Sequence, residues 1–189
     1  MTAASGCGGV LLTGGASRRM ETDKARIVWQ GETLAARAAR VLASVCDPVV
    51  EVGSGASGLR CVREDPPGSG PLAALLAGAG ALDTRGPLVL LACDLPFVEA
   101  PIVRLLADWA GNPTVVPVVD GRLQFACARY GAAALARAER AIAVGDQTLR
   151  AAAGDDFDEL VESEWKAVGG LNAFADVDTP ADVRRLGLS

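Results

Sequence analysis

The stretch Pro87–Ala92, PLVLLA, limits what this chain can fold into more than any other. A run without a polar side chain cannot lie on a sheet that shows one face to water, so it reads as a central parallel strand covered on both sides. Parallel neighbours need crossover connections, and the flanking pattern provides them. Val10–Thr13 reads as a short buried strand, Pro48–Val52 as a second and Cys61–Arg63 as a short third. Arg26–Trp29 is extended or irregular, and Gln30-Gly31-Glu32 is a turn. Behind Thr33 as cap, Leu34, Ala38, Val41, Leu42 and Val45 recur at helical spacing. The glycine-rich Gly53–Gly58 reads as a flexible loop, and Pro71 opens a helix lasting to about Leu82. Another helix runs from about Ala100 to Ala110. Thr114–Val119 and Leu123–Ala128 flank Asp120-Gly121-Arg122 and read as an antiparallel hairpin. Ala-rich helices over Ala132–Ala143 and Gln147–Ala153, a strand over Phe157–Ser163 and a last helix near Pro180, capped by Thr179, complete the pattern. The expected class is α/β: a doubly wound, mostly parallel sheet with an antiparallel portion, residues 1–189 forming a single domain.

Composition narrows the function. The formal net charge is −5, which disfavours a broad basic face for DNA or RNA, so any anion site must be local. The chain has no histidine, which removes imidazole catalysis and histidine–metal sites. Its five cysteines are spread without a C-x-x-C pair, a poor fit to a disulfide framework or a thiolate zinc site. Free thiols point to a reducing cytosol, so a cytoplasmic location is expected. No apolar run approaches the ~20 residues that span a bilayer, and MTAASGCGG lacks the pattern of a secretory signal.

In doubly wound sheets, ligands bind beyond the carboxyl ends of the strands, where strand order reverses. Three loops in such positions carry candidate chemistry. The first is Gly14-Gly15-Ala16-Ser17-Arg18-Arg19, with Lys24 shortly after. Paired glycines let successive N–H groups approach an anion, and the arginines and lysine add fixed and mobile positive charge. Neither G-x-x-x-x-G-K-[ST] nor G-x-G-x-x-G is present, so these residues alone describe a triphosphate cradle or an exposed turn with solvated arginines. The second is Asp94, directly after the apolar strand, a ligand for magnesium or else a cap. The third is Asp65–Pro71, where Gly68 and Gly70 would let main chain approach a flat base and Asp65 could bind a base or ribose; a tight loop before a helix is the alternative. Asp176 and Asp178 would share a side if extended, as further metal ligands or as the start of the last helix.

In combination these pieces become specific. LLTGGASRRMETDKA, residues 11–25, resembles the nucleotide signature L-A-G-G-x-S-x-R-M-G-x-D-K-A of the molybdenum cofactor guanylyltransferases and their nucleotidyltransferase relatives. PGSGPLAAL (67–75), ACDLPF (92–97) and DVDTPADV (176–183) resemble that family's next three blocks, in the same order and at similar spacing. The resemblance implies a Rossmann-like, three-layer α/β/α enzyme that joins GMP from GTP to molybdopterin, uses Mg²⁺ and releases pyrophosphate. It implies that Leu12, Thr13 and Gly14 line the nucleotide, that Lys24 contacts the phosphates and that Asp65 binds the nucleoside side; Gly15 and Gly70, on the ground of their backbone freedom, join that binding set. Asp94 would hold magnesium and GTP, with Lys24, Asp94 and Arg19, alone or with Arg18, as the catalytic set. Transient contact with molybdoenzymes or their chaperones follows from the same resemblance.

Three positions depart from the pattern. Thr13 replaces the usual alanine and adds a hydroxyl near the nucleotide; Glu21 stands where glycine is expected; Asp176 and Asp178 replace asparagines of the guanylyltransferases' N-x-N-T-P block. D-x-D-T-P also occurs in sister enzymes, which leaves open CTP or another phosphorylated acceptor. Glu21 leaves open a non-catalytic nucleotide-binding protein that delivers the cofactor.

Overall fold

The computed structural model describes residues 6–14, 23–84, 86–178, 180–185 and 187. Along the chain run β1 (Gly8–Leu12), a 3-10 turn (Lys24–Arg26), β2 (Val28–Trp29), β3 (Glu32–Thr33), α1 (Leu34–Ala43), β4 (Val49–Val52), β5 (Cys61–Val62) and α2 (Pro71–Ala81). There follow β6 (Leu88–Ala92), α3 (Ala100–Ala107), β7 (Val115–Val119), β8 (Arg122–Leu123), β9 (Cys127–Tyr130) and α4 (Ala132–Ala143). α5 (Leu149–Ala153), β10 (Asp158–Leu160), α6 (Glu162–Lys166) and α7 (Pro180–Arg185) end it.

The main sheet has the order β10-β7-β9-β6-β1-β4-β5, with β8 attached to β7. β1 pairs in parallel with β4 and β6, β4 with β5, and β10 with β7. Only β9 within that row is antiparallel to its neighbours. Alternation along β1 and β6 divides the core between the two faces. Leu11, Val89 and Leu91 meet α1 and α3 through Leu42, Ile102 and Leu106. Val10, Leu12, Leu88 and Leu90 meet α2, α4 and α5 through Leu72, Leu75, Leu135 and Ala152. This is the expected three-layer, mostly parallel architecture, and PLVLLA is buried at its centre because helices cover both faces. All five cysteines are free thiols.

Two expected strands are cut short. The second hairpin arm, Leu123–Ala128, breaks in two: β8 pairs with β7 across Asp120-Gly121, and the chain then turns at Gln124, whose N–H donates to Pro117 O at 2.9 Å. β9 is inserted between β7 and β6, and Ala92 N–H donates to Ala126 O at 2.8 Å. The edge of β6 is deeply buried, so its backbone groups need that partner, and the demand outweighs continuing a regular hairpin. Phe157–Ser163 is likewise only partly strand. β10 ends at Leu160, and α6 begins with the Glu164 carboxylate accepting Val161 N–H at 3.0 Å. What holds α6 down is Trp165, fully buried, its indole N–H donating to Val118 O at 2.9 Å.

Candidate active site

The carboxyl ends of β4, β1 and β6 lie side by side, and the register sets what meets there. Leu12 is opposite Val52 on one side and Ala92 on the other. Two further bonds extend the alignment beyond the strands: Thr13 N–H donates to Val52 O at 3.0 Å, and Cys93 N–H to Leu12 O at 3.0 Å. The loops after the three strands therefore open onto one cleft of about 780 Å³. Its floor is Leu12, Thr13, Gly14, Cys93 and Asp94. Gly53 and Ser54 form one wall, and Arg63, Glu64, Pro67, Gly68 and Gly70 another. Gly70 caps α2 with φ 90, a backbone shape that side-chain-bearing residues rarely adopt.

Lys24 enters from the 3-10 turn. Asp23 caps that turn, its carboxylate accepting Ala25 N–H at 3.1 Å, and Ala25 is buried. The turn aims the Lys24 ammonium into the cleft, 3.6 Å from Asp94 Oδ2 and 2.6 Å from Asp178 Oδ1. Burial alone would lower the Lys24 pKa, but the hydrogen bond to Asp178 and the charge of Asp94 outweigh it and hold the group above its usual value. Asp178 comes from the far end of the sequence. Val177, buried against Leu34, donates its N–H to Asp94 O at 2.9 Å and so ties that segment to the loop after β6.

Asp94 is the strained member of the group. Its pKa is raised, by burial first and then by Asp178 and Asp176, with Lys24 pulling the other way. Asp176 is raised too, by burial and by Asp178. Among the described residues two carboxylates share the Lys24 ammonium and Asp176 adds its charge to Asp94, a surplus of negative charge that a cation relieves. Among the described residues no group of three or more His, Cys, Asp or Glu is placed to hold a metal ion by itself. Magnesium needs none, since it takes one or two carboxylates with substrate phosphates and water. The donor set around Asp94 fits that ion.

Of the residues expected from sequence, Leu12, Thr13, Gly14, Lys24, Gly70 and Asp94 line this one cleft. Gly15, Arg18, Arg19, Glu21 and Thr179 lie outside the described residues. Asp65 is exposed, beyond the lining residues Arg63 and Glu64. Thr13 lines the cleft, and its hydroxyl donates to the carboxylate of Glu51 and accepts Ser54 N–H at 3.0 Å. Glu51, Gly53, Ser54 and Arg63 were not foreseen. Glu51 did carry a signal, a carboxylate inside the apolar strand VVEV, and it is wholly buried.

Residues 9–159, the strands and loops that build this cleft, match the model of the MobA-like NTP transferase domain. The chain belongs to that family. Over 157 residues this MobA-like transferase is 38% identical to a protein of Opitutus terrae named "Probable molybdenum cofactor guanylyltransferase", covering 78% of this chain and 77% of the relative. It is 35% identical over 157 residues to a protein of the same name from Chloroflexus aggregans, covering 76% and 74%. Its fold matches the crystal structure of molybdopterin-guanine dinucleotide biosynthesis protein A from Archaeoglobus fulgidus with a TM-score of 0.78, at 22% identity over 94% of this chain and 95% of that one. Among the described residues no helix is long and apolar enough to cross a membrane.

Proposed function

We propose that this MobA-like transferase moves GMP from GTP to the terminal phosphate of molybdopterin and releases pyrophosphate, with Mg²⁺ as cofactor and residues 1–189 acting as one catalytic domain in the cytoplasm. The observation that carries the reading is the convergence of Lys24 on Asp94, 3.6 Å apart, in a cleft floored by the first glycine of the nucleotide signature. The names of the Opitutus and Chloroflexus relatives support the choice of GTP and molybdopterin.

The chemistry asks little of a base. A phosphate monoester has its second pKa near ~6, so the attacking phosphate is already largely ionised at neutral pH. The absence of histidine is then no obstacle. The difficulty is bringing two anions together, and positive charge and alignment answer it. Lys24, already held protonated by its carboxylate neighbours, supplies a mobile cation for the triphosphate. The glycine backbone at 14 and 15 and one or both of Arg18 and Arg19 supply further donors. Asp94 would hold magnesium, which when bound neutralises charge on the phosphates. Gly70 and the Asp65 loop are assigned to the nucleoside side. The finished cofactor then passes to molybdoenzymes or their chaperones.

Asp176 and Asp178 favour a second reading, CTP or another phosphorylated acceptor on the same machinery, because Asp178 brings a carboxylate to Lys24 where the guanylyltransferase pattern has asparagine. Pyrophosphate release measured with GTP and with CTP, each with and without molybdopterin, decides between them. Release only with GTP and molybdopterin is expected. Release with CTP supports the second reading, and GTP binding without release under any acceptor would leave a delivery protein.

A further inference from the structure

Glu51 has no part in the reaction just described, yet among the described residues beside the cleft its side chain collects five hydrogen bonds. It is 0% exposed, in the middle of β4. One carboxylate oxygen accepts Gly55 N–H at 2.7 Å, Ala56 N–H at 2.9 Å and the Thr13 hydroxyl. The other accepts Ser57 N–H at 3.0 Å and the Ser57 hydroxyl. Ser54 N–H, the next donor back along the chain, goes to Thr13 at 3.0 Å. Four consecutive backbone N–H groups, 54 to 57, thus converge on this pair. Such a concavity of amides ordinarily binds an anion from outside; here the fold supplies its own.

The clasp sits against the nucleotide loop. A Cβ added at Gly53 would lie 2.2 Å from Gly14 N, and Gly53 has φ 140, so the two backbones touch where only glycine fits. Gly14, Gly53 and Ser54 are all part of the cleft surface.

We propose that Glu51, with Thr13 and Ser57, is a positioning residue that fixes the loop 53–57, whose Gly53 and Ser54 line the cleft, against Gly14 and so sets the shape of the nucleotide cleft. A carboxylate suits the task because it only accepts, and Thr13, Gly55, Ala56 and Ser57 all donate to it. The inference rests on the reading that a nucleoside triphosphate occupies this cleft.

Steady-state kinetics with magnesium GTP, run well below each variant's melting temperature, test it. Glu51→Gln puts an amide among donors and is expected to raise KM for the nucleotide about tenfold while kcat stays within about twofold. Ser57→Ala removes one donor and should raise KM about threefold, and Ser57→Thr, which keeps a hydroxyl, should recover most of that. If Glu51→Gln does not fold, the two Ser57 variants carry the test. Unchanged KM in Glu51→Gln and Ser57→Ala overturns the proposal, as does an equal fall in kcat with KM constant. Wild-type protein that uses CTP in place of GTP overturns the nucleotide assigned above, and the same variants are then read with CTP. Wild-type protein that binds neither overturns both.

Discussion

Asp94 and Glu51 are two carboxylates on either side of β1, and the fold treats them in opposite ways. Glu51 collects five donors, and although burial would raise its pKa, the hydrogen bonds from Ser57, Thr13 and the loop backbone outweigh burial and lower it. Among the described residues Asp94 has one cation at 3.6 Å and two like charges nearby, and its pKa is raised, burial leading. A polar group that its own chain satisfies is part of the scaffold. One that the chain leaves short of partners is where a ligand completes the structure. The contrast separates a residue that shapes the cleft from one that works inside it, without appeal to any bound molecule.

The sharpest way to break the comparison is to remove Asp94. Asp94→Ala is expected to lower magnesium-dependent pyrophosphate release by about 10³-fold or more. Its Tm should stay within about 2 °C of wild type, because the lost charge had little compensation in the fold. Turnover close to wild type would remove the metal site; a large fall in Tm would show that Asp94 is structural like Glu51. Glu51→Ala should behave in reverse. Loss of a buried, fully bonded carboxylate leaves three backbone N–H groups unpaired, at about 2–4 kcal/mol, which lowers Tm by about 5–10 °C in a chain of this size. Thermal melts of the two variants side by side settle which carboxylate belongs to the scaffold. Lys24→Ala sharpens the contrast from the ligand side. Its ammonium is placed for phosphates, so affinity for GTP should fall about tenfold and affinity for GMP distinctly less. Equal losses, measured by calorimetric titration, would argue against a phosphate role.

The two carboxylates were also unequally legible in the sequence. Asp94 stands out because six apolar residues precede it and a polar residue at the end of a buried strand needs a reason. Glu51 carries a signal of the same kind, a carboxylate inside the apolar strand VVEV, but nothing in the strand says what satisfies it. Its partners are mostly backbone N–H groups of GSGASG, where the glycine content reads as flexibility while the geometry aims four successive amides at one buried pair. Lys24 could be picked out as a phosphate ligand, but its closest contact, Asp178, is 154 residues away, and nothing local encodes that distance. The misread strands share one cause. β9 and α6 are defined by what they dock onto, the buried edge of β6 and the Val118 carbonyl, and short elements of that kind have little pattern of their own.

The smallest expected effect concerns pH and tests whether Glu51 is ionised in the fold. A carboxylate whose folded pKa lies below its ordinary 4.5 adds stability that is fully present above that value. The contribution is lost as pH falls through the lower folded value, where the folded protein takes up the proton as well. Glu51→Gln has no such titration, so comparing the two proteins cancels the other acidic groups. The Tm gap between wild type and Glu51→Gln should be constant from about pH 8 down to about pH 5 and narrow by a few degrees below it. A gap that stays level down to about pH 3 would mean that Glu51 takes up its proton at the same pH in the folded and unfolded protein, so that the clasp on Ser57 and the 55–57 amides does not favour the anion over the acid.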